Sequence, residues 1–540
     1  MKSKFKLPAV CMLILIIFFA CNNAKDNEQK FELHGTLEGI TDGKIFLVNS
    51  DEGKKDSALI KNGKFVFKGD YPAPTELHLR LSRSGIHSIF VENAKMNLTG
   101  LVRKKKNNRR NYPGAPEYYL VLEDIKITGG KTQEDFVRYI KQKNLSFKIQ
   151  DDLRKELRLS TITRERKAEL VKELEKQREE GYALTGKFIK EHPTISLSAK
   201  MLAQRLSDKS AVEIEKTIKS LDPALQKNPI IIKVLEEALK LKDIEVGIDQ
   251  MMANVSNVSY KVDEKFNGRE LKDIIYLGVF SNNNICALKK DGTVQILDAY
   301  GKQINSFKTE LNGAASCLAV GSDNKIYLLC GIQEERIQKF RGKEHKFMAP
   351  TAVECKVYDE KGASKSQFRL EGIVIATGAR VVDNNLIVAD WLGKKLAMFD
   401  KTTGKVGPVI ENMRTCCYIL DFNVNKKKEI LVANLGAFRI QGYDLSGKQL
   451  FAFGQKGRTL NDFHGCCNPV SVTSLSSGAI VTVEKDPTRI KIYSKEGAKQ
   501  IAGIEELVEG CKHIPMIVDS KDNLYLASKE KGIVKCVSVN

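Results

Sequence analysis

The chain holds one tryptophan and seven histidines in 540 residues. After residue 255 the only histidines are His345, His464 and His513. No two cysteines stand in Cys-x-x-Cys spacing, which excludes the helix-terminal thiol pair of a thioredoxin-type reductase. A Gly-x-Ser-x-Gly elbow, His-Glu-x-x-His and a phosphate-cradling glycine loop are also missing. The signals of serine hydrolases, zincins and nucleotide-binding enzymes are therefore absent, and the balance leans against an enzyme. The charge is lopsided, with 87 Lys and Arg against 67 Asp and Glu, a net +20. No arginine–aromatic motif accompanies it, so it reads as a lysine-rich solvated surface and not as a nucleic-acid site.

What is present is repetition. Phe463–Ala498 alternates as strands broken by turns: Val470, Val472 and Leu475, then Ser476-Ser477-Gly478, then Ile480, Val481 and Val483, then Asp486-Pro487, then Ile490, Ile492 and Tyr493. Copies begin at Ser281, Val382, Asn425 and Ser520, and a further one at Ser322 is parted from its partner strand Lys356–Gly362 by a long insertion. The anchors Ile285, Ile326, Leu386, Ile430, Ile480 and Leu524 are spaced by 41, 60, 44, 50 and 44 residues. Periods of this size, with about four short strands each, predict propeller blades. Six anchors predict a six-bladed β-propeller over residues 255–540. A strand at Ser256–Asp263 is placed to pair with the last blade and remove its open edge.

The N-terminus addresses the chain. MKSKFK is a basic segment and LPAVCMLILIIFF an apolar one too short to span a bilayer. Ala20 precedes Cys21, and this resembles the lipobox of bacterial lipoproteins. The resemblance implies a signal peptide over residues 1–20 and a covalent lipid on Cys21. It further implies a polar tether over 21–30, a membrane partner through the anchor, and residence in the cell envelope at the outer membrane. Lys25-Asp26 and Glu28 resemble the charged tether of surface-sent Bacteroidetes-type lipoproteins.

Residues 31–130 alternate in short strands parted by Asp42-Gly43, Asn62-Gly63 and Pro72/Pro74, a small all-β sandwich. Arg103–Arg110 reads as a basic hairpin tip. From 131 to 254 the period becomes helical. Leu170, Leu174, Leu184 and Phe188 share a stripe with Gly181, a predicted close-contact point, and Ile149, Leu153 and Leu157 form a second one. Pro193, Asp222-Pro223 and Asn228-Pro229 separate the helices. The order FELHGTL, ALIKNGKFVFKG, FVEN, IKITGGKTQEDF resembles an uncharacterised domain at the N-terminus of Bacteroidetes-type envelope lipoproteins, where a helical spacer and often a thioredoxin-like domain follow. Here a propeller takes that place, and Ile387-Val388-Ala389-Asp390 with Met398-Phe399-Asp400 resembles the NHL-like blade hairpin. The whole is a multidomain chain of β-sandwich, helical spacer and propeller.

Two constellations are candidates for chemistry. Asp390/Lys395, Asn434/Arg439 and Glu484/Arg489 repeat at five residues across a hairpin and read as blade architecture. Cys417, Cys467 and Cys511 each stand thirteen residues before a blade anchor, which places them at one mouth of the channel. Cys416 and Cys466 precede two of them, and His464 and His513 flank them. The set reads as disulfide or packing, as a soft-metal site, or as a redox centre. Cys286, Cys317, Cys330, Cys355 and Cys536 fall in strand patterns and read as packing. The leading function is a lipid-anchored binding module with an envelope protein or glycan partner. A metal-dependent lyase or hydrolase and a copper-handling redox protein are the alternatives.

Overall fold

Strands with a period of two bury one face and expose the other, and the N-terminal strands obey this. The structure is a computed structural model. It describes residues 30–49, 53–81, 86–106, 118–157, 159, 161–340, 343–485, 488–501, 513–528 and 532–539. The leader, Cys21, the outer part of the Arg103–Arg110 loop, Asp486-Pro487 and Cys511 lie outside the described residues.

Eight strands open the described chain: β1 (Phe31–Glu38), β2 (Gly43–Val48), β3 (Lys55–Ile60), β4 (Lys64–Gly69), β5 (Thr75–Arg80), β6 (Ile86–Val91), β7 (Lys95–Lys106) and β8 (Tyr118–Thr128). They form two sheets, β4-β1-β7-β8 and β3-β2-β5-β6. Phe31, Leu33 and Leu98 of the first share a core with Ile45, Leu79 and Ile89 of the second. Asn62 and Gly63 both take left-handed φ, 51° and 72°, and this turn passes the chain from β3 in one sheet to β4 in the other.

Two long helices follow, α1 (Lys131–Leu157) and α2 (Arg164–Glu191), the second capped by Thr163 Oγ1 accepting from Arg166 N at 3.2 Å. Leu170, Leu174 and Phe188 are buried, and Phe188 stacks on Tyr139 at 4.8 Å. Two details differ from expectation. A Cβ on Gly181 would meet only Ser146 Oγ at 3.8 Å, an ordinary contact, so close packing does not require this glycine. Ile149 is exposed, while Leu153 and Leu157 of the same stripe are half-buried.

The chain divides into two compact units, Met1–Leu202 with Asp222–Ile231, and Ala203–Leu221 with Ile232–Asn540. The division cuts the helical run. α3 (Ser196–Leu206) straddles the first boundary, α4 (Ala211–Lys219) lies in the second unit, α5 (Pro223–Gln226) returns to the first, α6 (Pro229–Leu241) straddles the last boundary, and α7 (Ile248–Met251) lies in the second unit. Glu245 meets Arg439 at 2.7 Å and accepts from Ala211 N. Val246 N donates to Ala452 O at 2.9 Å, and Ala452 N to Ile244 O at 2.7 Å. This segment covers an outer sheet edge that would otherwise present unpaired backbone groups.

Among the described residues, the rest of the second unit is built of six four-stranded antiparallel sheets. The first holds β10 (Ile274–Val279), β11 (Ile285–Lys289), β12 (Thr293–Leu297) and β13 (Gln303–Lys308). The second holds β14 (Ala314–Val320), β15 (Ile326–Phe340), β16 (Lys343–Tyr358) and β17 (Ser364–Leu370). The third holds β18 (Ala376–Val382), β19 (Asn385–Asp390), β20 (Lys395–Asp400) and β21 (Val406–Ile410). The fourth holds β22 (Asp421–Val424), β23 (Ile430–Asn434), β24 (Arg439–Tyr443) and β25 (Gln449–Phe453). The fifth holds β26 (Ser471–Ser474), β27 (Ile480–Glu484), β28 (Arg489–Ser494) and β29 (Gly497–Gln500). The last joins β30 (Met516–Val518), β31 (Leu524–Ser528) and β32 (Gly532–Val539) to β9 (Ser259–Val262), the strand from the front of the unit.

Five of the six anchors open the second strand of their sheet, and Leu386 is the second residue of β19. A residue of left-handed φ stands two positions before five of them: Asn283, Asn324, Lys428, Gly478 and Asp522. Second strands such as Ile430–Asn434 are buried throughout, since a neighbouring sheet covers each face. The first strands touch in a circuit, β10 to β14, β18, β22, β26, β30 and back to β10. Propeller blades have this organisation. The insertion after Ile326 is an extension of β15 and β16, paired out to Phe340 and Lys343.

Candidate functional site at the channel mouth

Buried acids and amides fix the loops that lead into the first strands. Asp390 accepts from Val374 N at 3.4 Å and Ile375 N at 3.2 Å, Asn434 Oδ1 from Arg414 N at 2.9 Å, and Glu484 from His464 N at 2.8 Å. All three are almost wholly buried, so each hydrogen bond is made away from competing water. The cysteines follow two residues behind Arg414 and His464. Repeated residues read as architecture thus hold the thiols in place. Their basic partners sit directly across the hairpin, Asp390 opposite Lys395, Asn434 opposite Arg439 and Glu484 opposite Arg489. Only some reach back. Arg489 meets Glu484 at 2.7 Å, whereas Arg439 turns to Glu245 and to Lys209 O, and Asn434 donates to Gln441 at 2.6 Å.

The thiols gather at the entrances to β22 and β26. Cys416–Ile419 is a tight turn closed by Ile419 N donating to Cys416 O at 2.9 Å. Its central residues, Cys417 and Tyr418, have φ of 54° and 58°, a conformation costing about 1–2 kcal/mol for each side chain with a Cβ. Tyr418 stacks on Trp391 at 4.2 Å. Cys467 Sγ lies 2.7 Å from Cys416 Sγ, which lies 3.3 Å from Cys417 Sγ. All three sulfurs fall within 4.8 Å of one another.

A buried lysine sets the charge. Lys485 has no exposed surface, and Asn468 pins its backbone, accepting from Lys485 N at 2.8 Å and donating to Lys485 O at 2.9 Å. Burial alone would raise the Cys417 thiol, yet hydrogen bonds from Lys485 and Cys416 bring it below its ordinary value. Burial raises Cys416, and the hydrogen bond with Cys466 followed by burial raises Cys467. The Cys417 sulfur thus faces an ammonium that favours its ionised form, with the Cys416 and Cys467 sulfurs close by. Such a group can hold a soft metal ion or oxidise to a disulfide.

Of the residues the sequence singled out, Cys416, Cys417 and Cys467 come together. Cys466 is exposed and touches Cys467, outside the three-sulfur group. His464 anchors its loop through its backbone. His513 stacks on Tyr276 at 6.0 Å, with Nε2 3.7 Å from Asp421 Oδ1, and is not a member of the group. The five strand cysteines are buried, and burial pushes Cys317 and Cys536 up to about 12. Lys485, Trp391 and Tyr418 were not foreseen. Lys485 stands among Glu484 and Asp486, where a lysine ordinarily signals solvent.

Residues 31–136 match a family described as a domain of unknown function (DUF4369). No curated protein is similar in sequence. Among solved structures, the chain is similar to a catalytically inactive virginiamycin B lyase from Staphylococcus aureus with quinupristin, at 10% identity and TM-score 0.36, covering 52% of this chain and 100% of that one. The WD40 β-propeller domain of Doa1 is similar at 13% identity and TM-score 0.35, covering 52% of this chain and 97% of that one.

Proposed function

We propose that this chain is a lipid-anchored protein of the bacterial cell envelope whose six-bladed, NHL-like propeller is a binding module, with its ligand site at the thiol mouth of the fourth and fifth blades. The circuit of six first strands and the closing strand β9 support the blade count. Ala20-Cys21 after a short apolar segment supports the anchor. One observation carries the site: the sulfurs of Cys416, Cys417 and Cys467 lie within 4.8 Å of one another.

The donor set fits a soft ion, Cu(I) or Zn. Thiolates sharing an ion at about 2.3 Å stand roughly 4 Å apart, so binding spreads Cys416 and Cys467 from 2.7 Å. Lys485 offsets the negative charge of the thiolate complex. A metal held this way serves either cargo binding or reaction at an open position. A second reading rests on that same 2.7 Å, a disulfide between Cys416 and Cys467, formed when the two thiols give two electrons and two protons to an envelope oxidant.

Elemental analysis with thiol counting on full-length protein from membranes tests this. The metal reading expects about one equivalent of Cu or Zn, lost in Cys416→Ser. The disulfide reading expects no metal and two more thiols after reduction. Neither result makes the thiols packing residues and moves the binding face elsewhere. Separately, Cys21→Ser should release the protein from the membrane fraction, and retention there would overturn the anchor.

A further inference from the structure

Four sulfurs stand in succession at the thiol mouth. Cys417 and Cys466 are exposed, whereas Cys416 and Cys467 are half-buried. Cys417 Sγ is 3.3 Å from Cys416 Sγ, which is 2.7 Å from Cys467 Sγ, and Cys466 touches Cys467. The two exposed thiols are not equivalent. Cys417 accepts a hydrogen bond from Lys485, whose side chain is wholly buried, and a cation beside a thiol favours the ionised sulfur that attacks disulfides. Cys466 stays outside the three-sulfur group.

The order of the sulfurs has a covalent consequence. A relaxed disulfide spans Cα atoms roughly 4.4–6.8 Å apart, while a trans peptide holds neighbouring Cα atoms at about 3.8 Å. A bond between the adjacent Cys416 and Cys417 is therefore strained, and strain makes a disulfide easier to open. The sulfur placed to open it is that of Cys467. Cys416 and Cys467 are 51 residues apart, at the entrances to two different strands, and a bond between them carries no such restriction.

We propose that the mouth exchanges with organic disulfides, with Cys417 as the entering thiol and the Cys416–Cys467 pair as the seat of the finished bond. This rests on the thiol mouth being the working face and needs no bound ion. The Cys417 sulfur attacks one sulfur of a substrate R–S–S–R, forms a mixed disulfide and expels the first RS⁻. Cys416 gives up its proton, attacks the Cys417 sulfur and expels the second RS⁻. Cys467 then gives up its proton and attacks the Cys416 sulfur, which releases Cys417 as it began. Two electrons and two protons pass from Cys416 and Cys467 to the substrate, leaving two RSH and one protein disulfide. The entering thiol is thus free in the oxidised chain, which a pair acting alone does not achieve.

Reduced full-length protein, stripped of metal by a chelator, is mixed with cystine or with insulin. Freed cysteine or separated insulin chains are counted by chromatography, and the protein's disulfides are mapped by peptide mass. Cystine should yield two cysteines per chain, a Cys416–Cys467 bond and a Cys417 that still alkylates. Cys417→Ser should slow release at least about 10-fold, while Cys466→Ser, which removes the other exposed thiol, should change it less than about 2-fold. Changing Cys416 and Cys467 together to Ser should stop the reaction after one cysteine, with the other half of cystine carried on Cys417. Reaction with cystine alone makes the substrate a small disulfide, and reaction with insulin, alone or as well, makes it a protein one. Reaction with neither, the substrate half mapped to Cys466, or an unchanged rate in Cys417→Ser overturns the proposal. A metal equivalent or a Cys416–Cys467 bond found by elemental and thiol analysis stands in that event, so failure of the exchange is distinguishable from failure of the thiol mouth.

Discussion

Lys491 Nζ lies 2.5 Å from Glu484 Oε1, and neither side chain reaches solvent. The ammonium also donates to Leu460 O and Asp462 O, each at 2.9 Å. Glu484 in turn holds Arg489 and the His464 N–H. Burial pushes Lys491 down to about 8, against the pull of Glu484. This pair links the interior of the fifth sheet to the loop that presents Cys467.

Removing one partner of a buried pair leaves the other charge unmatched, at about 3–5 kcal/mol. Glu484→Gln should therefore lower the unfolding free energy of the full chain by that amount, read by denaturant titration. Glu484→Gln with Lys491→Met should cost less than the two changes separately. Additive losses would show that the contact at 2.5 Å contributes no coupling.

The blade repeat was legible because it is local: a left-handed residue, an apolar strand and a hairpin recur within about twenty positions. The thiol offset was legible for the same reason, since equal distances from the anchors put Cys417 and Cys467 at equivalent entrances. Lys485 was not legible. Its partner, Cys417, is 68 residues away in sequence, and nothing in a lysine at the end of an alternating strand says that it is turned inward. Glu245 is a similar case, because the helical run gave no sign that one of its carboxylates ends beside Arg439.

Burial lifts the Glu245 carboxyl above its ordinary 4.5, with Arg439 pulling it back. A carboxyl raised on folding binds more protons in the folded than in the unfolded state between those two values, so stability falls as pH rises through that window. The stabilising contribution is full below about 4.5 and is lost above the folded value. Glu245→Gln cannot titrate. The melting temperature of the natural protein relative to this variant should thus decline from pH 4 toward neutrality. A difference that is constant, or that rises, contradicts the assignment.

The single tryptophan provides a reporter for the thiol mouth. Trp391 stacks under Tyr418 at 4.2 Å and 27°, and Tyr418 follows Cys417 in the turn that ends at Ile419. No other tryptophan contributes emission, so any change in fluorescence comes from this ring. Tyr418→Gly removes a stack worth about 0.5–1.5 kcal/mol and relieves a left-handed strain of about 1–2 kcal/mol. The two terms are of similar size, so stability should change by less than about 1 kcal/mol, while emission should shift to the red as the ring is uncovered. In the reduced full chain, Cu(I) delivered from a weak chelator should quench Trp391 saturably near one equivalent, because the ion would sit on the sulfurs of the same turn. Cys417→Ser should abolish the quenching and leave the emission maximum in place. Metal bound by elemental analysis with emission unmoved would place the ion away from this turn, and quenching that survives Cys417→Ser would remove that thiol from the ligand set.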